Sequence, residues 1–232
     1  MVYDTRNETY RKIRQKLLDG TIRSPKDLSR RKLAAQLNES PGNVQWALAR
    51  MEAEGVLETR PQSGTFVRQL SPREFRNLHD IRKLIEPYAA ARAARLITPD
   101  LLVQLDRTVQ EMSSLTEEIA RATGDSVSPE IIERIVRLES IFHGAILDAA
   151  QNPEATKIVE HVQLFTYLTR YFPCVSREAL IIDTQSSLAG HRSIVEAIRA
   201  GNARLARRRM KEHITAGLAF LQTPATSIEA TP

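Results

Sequence analysis

Cysteine is almost absent. Of 232 residues only Cys174 carries a thiol, so no disulfide can form within the chain, and a reducing, cytoplasmic setting is expected. No run of 18 apolar residues occurs, so no transmembrane helix and no membrane partner are expected. The opening MVYDTRNETYRKIR lacks the apolar stretch of a secretory signal. Three catalytic signatures are missing as well: His-Glu-x-x-His, Gly-x-Ser-x-Gly and a phosphate-binding glycine loop. Strand signal is nearly missing after the first third of the chain.

What is present is ordinary globular material, with 42% hydrophobic and 26% charged residues. The charge is unevenly placed. Residues 1–73 carry 14 Lys/Arg against 8 Asp/Glu, or +6, whereas residues 74–232 carry 19 against 20, or −1. The whole basic excess therefore lies in the first third, which suits either a polyanion-binding module or a merely solvated basic face.

The spacing of Tyr10, Ile13, Leu17 and Leu18 predicts a helix over 8–19, stopped by Gly20. A second helix is expected over 30–37, with Leu33, Ala34 and Leu37 on one face. After the turn Asn38-Glu39-Ser40, a third runs from 41 to about 54, with Ser40 as N-cap and Pro41 in the first turn. Two short β runs, 56–60 and 65–68, are joined by Pro61-Gln62-Ser63-Gly64. Three short helices and a hairpin make a winged helix-turn-helix.

A linker over 69–73 leads into six further helices, near 72–97, 99–122, 129–150, 153–171, 177–200 and 202–222. Thr98-Pro99, Ser128-Pro129 and Asn152-Pro153 are cap-plus-proline starts. The fold class is thus mainly α: an N-terminal winged helix-turn-helix over 1–70, a C-terminal all-helical antiparallel bundle over 71–222, and a flexible tail over 223–232.

In a helix-turn-helix the second helix of the motif enters the major groove. With Val44, Ala47, Leu48 and Met51 as its apolar stripe, the 41–54 helix turns Gly42, Gln45, Trp46 and Ala49 outward. Gln45 suits bidentate pairing with adenine. Asn43 and Arg50 flank that face, Ser40 opens it, and Arg30, Arg31 and Lys32 suit phosphate contact. Ser63 and Gly64 form the hairpin tip, which can approach the minor groove or the backbone. Each of these is equally readable as a solvent-exposed polar residue. Trp46 either packs within the domain or lies against a thymine methyl or sugar.

Five histidines occur. Glu139 and His143 are four apart and share a helix face. The turn at Gly201 lies 10 residues after His191 and 12 before His213. An antiparallel hairpin with a rise of ~1.5 Å per residue brings these two to nearly one height. Three imidazoles and a carboxylate can then converge in a bundle core and suit Zn, Ni, Fe or Mn. The alternative is scattered core and surface histidines, as His79 and His161 are read.

The run Leu33–Val67, LAAQLNESPGNVQWALARMEAEGVLETRPQSGTFV, resembles the DNA-binding domain of GntR-type regulators. Its most specific part is Met51-Glu52-Ala53-Glu54-Gly55-Val56-Leu57 followed by Gly64-Thr65-Phe66-Val67. The second half resembles the helical sensing domain of the FadR-like branch, the FCD domain, and Arg82-Lys83-Leu84-Ile85-Glu86 matches its opening Arg-x-x-x-Glu. Six rather than seven helices there would suit the VanR-like subgroup. The resemblance implies a metal held by Asp-x-x-x-His and two later His, which fall on Glu139, His143, His191 and His213, with Glu replacing the usual Asp. Departures are clear too. Pro41 and Gln45 stand where members usually carry Arg, so base readout should differ, and Ser24-Pro25 replaces a usual Gly.

The expected function is a ligand-responsive, DNA-binding transcription regulator of the repressor kind. It would act as a homodimer on a short, roughly palindromic double-stranded operator. One divalent metal ion per chain and a small organic or sugar acid effector are implied by the resemblance. Arg82, Tyr167 and Arg170 are candidates to hold the effector, and Arg82 alternatively pairs with Glu86. The competing classes are a metal-dependent enzyme with a helical catalytic domain, and a constitutive DNA binder whose helical domain is purely structural.

Overall fold

The computed structural model describes residues 5–18, 21–22, 27–124, 127–171 and 176–220, with backbone alone for 167–171 and 219–220. Contacts divide the chain into two compact units, Met1–Leu70 and Ser71–Pro232. Gly20, Ser24-Pro25 and the 223–232 tail lie outside the described residues.

The first unit holds α1 (Thr5–Leu18), α2 (Arg30–Leu37), α3 (Pro41–Ala53) and an antiparallel hairpin of β1 (Leu57–Arg60) and β2 (Gly64–Val67). The winged helix-turn-helix expected from the sequence is what forms. Helix α1 starts earlier than its apolar spacing suggests, and Thr9 joins Ile13, Leu17 and Leu18 on its buried face. Asn38 closes α2 in the left-handed region at φ 52°, where an Asn side chain is tolerated. Ser40 then caps α3, its hydroxyl accepting the Asn43 N–H at 3.1 Å, and Pro41 needs no donor there. Ile13, Leu17, Leu33, Val44, Ala47, Met51, Val56 and Leu57 form the core. Each large aliphatic chain so buried contributes roughly 1.5–3 kcal/mol. The wing pairs Leu57 with Val67 and Arg60 with Gly64. Its tip turns through Gln62 and Gly64, both at positive φ.

The second unit is helical throughout its described residues: α4 (Pro72–Leu96), α5 (Pro99–Arg121), α6 (Pro129–Ala149), α7 (Pro153–Tyr171), α8 (Arg177–Arg199) and α9 (Ala203–Phe220). A capping box opens α4: the Ser71 hydroxyl accepts the Glu74 N–H, and the Glu74 carboxylate accepts the Ser71 N–H at 2.9 Å. Pro87 sits inside α4 and removes one backbone donor, yet the helix runs on. Helix α4 is the hub, packing on α6, α7, α8 and α9. Its small residues Ala89, Ala90, Ala93 and Ala94 are buried there. At the α8–α9 turn Gly201 has φ 65°, and a Cβ would stand 3.7 Å from the Ala94 carbonyl oxygen. Its left-handed backbone is the reason glycine suits this position.

Candidate functional site

Three helices of the second unit build one buried polar centre. Glu139 and His143 come from α6, His191 from α8 and His213 from α9. One ligand atom from each lies within 4.8 Å of all the others. The Nε2 atoms of His213 and His143 are 3.4 Å apart. The Glu139 carboxylate oxygen Oε2 stands 3.6 Å from Nε2 of both His143 and His191. The α8–α9 hairpin brings His191 and His213 level, as their spacing about Gly201 requires.

These spacings allow a direct test of fit. Donors at 2.0–2.2 Å from a tetrahedral divalent ion stand about 3.4 Å from one another. The donor set, three imidazoles and a carboxylate, is that of Zn, Ni, Fe or Mn. A second observation concerns Gly190. A Cβ there would stand 2.7 Å from Nδ1 of His213 and 3.3 Å from its Cβ and Cγ. Only a glycine beside His191 lets the His213 ring sit against α8 as it does. The residues present fit a metal.

The electrostatics agree. Burial by itself would raise the Glu139 carboxyl, but the facing His191 and His143 outweigh it and hold the group ionised well below the usual carboxylate range. His213 is pushed well below the ordinary imidazole range, first by burial and then by His191 and His143, so its ring is neutral at pH 7. Burial alone would lower His143, but Glu86 and Glu139 reverse that and raise it. Ser187 on α8 donates its hydroxyl to Oε1 of Glu139 at 2.9 Å, and Glu139 Oε2 is the oxygen nearest the histidines.

Beside Glu139 and His191 lies a small cavity of about 20 Å³, lined also by Thr116, Asp183, Thr184, Ser187 and apolar side chains. That volume suits a water molecule rather than an organic acid. Arg82 does not line it. Its guanidinium binds Glu86 through Nε to Oε1 at 2.5 Å and Nη2 to Oε2 at 3.4 Å, with the residue 3% exposed. Of the two sequence readings of Arg82, the structure displays the ion pair: the i,i+4 carboxylate one turn on takes the guanidinium, inside the helix packing. The side chains of Tyr167 and Arg170 lie outside the described residues. His161 is exposed and meets Phe165 edge-on, away from the cavity lining. His79 is buried against Phe75.

In the first unit Gly42, Gln45 and Ala49 form the exposed face of α3, and Trp46 is half-buried. Arg30, Arg31 and Lys32 are exposed at the start of α2. Arg30 donates to the Gln45 amide oxygen at 2.7 Å, and Lys32 pairs with Asp27 at 2.6 Å. Arg50 stays exposed and lies along α1. It donates to Asn7 at 2.6 Å and Glu54 at 2.9 Å, and its guanidinium lies over the Tyr10 and Trp46 rings at 4.3 and 5.5 Å. The Tyr10 hydroxyl donates to the same Glu54, and burial with that contact pushes the phenol pKa up. Arg50 thus cements the α1–α3 junction. Ser40 uses its oxygen as the α3 cap while its side chain stays at the surface, as do Asn43 in part and Ser63 and Gly64 at the wing tip.

Sequence reasoning missed Ser187, Asp183 and Gly190, for which the sequence carries no signal. It named Glu86 as the partner of Arg82, but the spacing did not reveal that His143 faces the pair.

Comparison with known proteins agrees with both units. Residues 5–67 match the model of bacterial regulatory proteins of the gntR family, and residues 77–216 match the FCD domain. The Escherichia coli transcriptional repressor RspR is 24% identical over 209 residues, covering 89% of this chain and 84% of its own. A probable D-xylose utilization operon repressor of Paenarthrobacter nicotinovorans is 27% identical, with 84% and 76% covered. The solved structure of E. coli McbR/YncC superposes with a TM-score of 0.76 at 19% identity, covering 95% of this chain and 98% of that one. The chain belongs to the GntR family of DNA-binding transcription regulators, in the branch that carries an FCD domain, and not to an enzyme family.

Proposed function

We propose that this regulator is a metal-dependent, acid-responsive repressor. The observation that carries the reading is the convergence of Glu139, His143, His191 and His213 at metal-ligand spacing. FCD domains often bind a metal, and GntR regulators bind small-molecule effectors and usually dimerise, which supports the same reading. The two curated relatives described as repressors support the sign of regulation. One Zn, Ni, Fe or Mn ion per chain would supply open coordination positions for a carboxylate oxygen. A small organic or sugar acid is the proposed effector, because its hard anionic oxygen suits those positions. The adjoining cavity is too small for such a molecule as it stands, so binding selects a more open bundle arrangement.

The first unit reads DNA as a homodimer with two copies of α3 in successive major grooves. Gln45, with Gly42, Asn43 and Trp46 around it, faces base edges. Arg30, Arg31, Lys32, Ser40, Ser63 and Gly64 contact the backbone. Arg30 releases or shares the Gln45 amide when that side chain meets a base.

Operator titration by fluorescence anisotropy tests both halves. An effector acid changes operator affinity in metal-loaded protein and has no effect after chelation; an acid-insensitive, metal-insensitive operator complex identifies a constitutive binder instead. In the same titration Gln45→Ala weakens discrimination at one base pair per half-site by ~1–3 kcal/mol. Arg31→Ala weakens all sequences alike and flattens the salt slope. Unchanged binding by both variants places the reading face elsewhere.

A further inference from the structure

We infer that Glu86, anchored by Arg82, is the positioning residue that fixes His143 as an Nε2 metal ligand. The inference rests on the metal reading above and extends it to a helix that contributes none of the four donors.

Glu86 lies on α4, and His143 on α6. Oε2 of Glu86 is 2.6 Å from Nδ1 of His143, and both side chains are buried to 2% exposure or less. A carboxylate accepts and does not donate when ionised. Both Glu86 oxygens face the Arg82 guanidinium, Oε1 taking Nε and Oε2 taking Nη2, as an ionised carboxylate does. The 2.6 Å contact of Nδ1 with that acceptor oxygen assigns the ring proton of His143 to Nδ1. Nε2, the other ring nitrogen, is left with its lone pair directed at the side where His213 Nε2 and Glu139 Oε2 stand, at 3.4 and 3.6 Å. The tautomer of a ligand histidine is set by what its second nitrogen donates to.

Arg82 makes this arrangement rigid. Its two-point contact with Glu86 holds the carboxylate plane, and the guanidinium charge offsets the cost of burying an anion beside a cation site. The Arg-x-x-x-Glu pair is thus a clamp on the metal centre, not a receptor for the effector. It also ties the centre to α4, which begins at Pro72, two residues past the end of the first unit.

Two measurements test this with Zn²⁺ alone as the probe. Competition against a chromophoric chelator should show Glu86→Gln binding zinc about 10- to 100-fold more weakly than the native full-length chain. Chelator-treated native and variant proteins are compared by circular dichroism to establish that the variant is folded. The second measurement needs no variant. In the zinc-loaded native protein, long-range ¹⁵N–¹H NMR should find His143 with Nδ1 protonated, its proton protected from exchange, and Nε2 bound to metal. Equal zinc affinity in folded Glu86→Gln, or a His143 protonated at Nε2, overturns the role of Glu86 while leaving the metal centre standing. Absence of zinc binding by the native protein overturns both.

Discussion

Replacing His191 and His213 together with alanine is expected to abolish metal binding and the effector response while sparing operator binding. The two residues come from different helices, and without them only Glu139 and His143 remain, one turn apart on α6. Two donors on one helix face cannot enclose an ion. Four-ligand sites in small proteins bind with roughly 10–16 kcal/mol at pH 7. Loss of half the donors should therefore remove about 5 kcal/mol or more, on the order of ten-thousand-fold in affinity. The metal content of the purified variant should fall below about a tenth of an equivalent. DNA contacts lie in the first unit, so the operator affinity of the variant should equal that of chelator-treated native protein. Because His191 is fully buried, its truncation leaves a void; His213→Gln, at a half-buried position, serves as the gentler companion. Retained metal and a retained acid response in both variants would place the ion elsewhere.

Arg82→Ala should be among the most destabilising single substitutions in the helical unit. Both partners of the Arg82–Glu86 pair are buried to 4% exposure or less. Removing the guanidinium leaves the Glu86 carboxylate in the interior with only His143 Nδ1 facing it among the contacts described above. Breaking a buried pair in this way is destabilising by about 3–5 kcal/mol. For a unit of this size that lowers Tm by roughly 10 °C. Replacing both members, Arg82→Leu with Glu86→Leu, should restore most of the loss in metal-free protein, since neither charge is then stranded. Calorimetry on chelator-treated protein measures both, and a shift in Arg82→Ala under about 2 °C, equivalent to about half a kcal/mol, would show that the guanidinium is solvated rather than structural.

Much of the architecture was legible because the chain marks its helix starts. Pro41, Pro72, Pro99, Pro129 and Pro153 each open a helix, a position where the missing N–H is no loss. The histidine centre was legible for a related reason: 3.6-residue periodicity and one tight turn at Gly201 fix the heights of His191 and His213. What the sequence does not carry is the third dimension between helices. Arg82 was equally readable as an effector ligand or as the partner of Glu86, because nothing in the sequence says which way its helix face turns. Nothing in the sequence says that Arg50, at the flank of the DNA face, also meets Asn7 and Tyr10 of α1 and the cap residue Glu54. Gly190 matters only because His213, distant in sequence, passes within contact of it. Glu replaces the usual Asp at 139, and the Ser187 hydroxyl from α8 steadies the longer arm.

The central claim is that this regulator holds a metal in its helical unit. Metal analysis of protein purified without chelator, followed by thermal denaturation with added Zn, Ni or Mn, tests it most directly. The account predicts close to one equivalent per chain, or a metal-free protein whose Tm rises on addition; an ion at 100 times its Kd stabilises the folded state by about 2.7 kcal/mol. Less than about a tenth of an equivalent, judged against that same saturation, together with an unmoved Tm for all three ions, would contradict it.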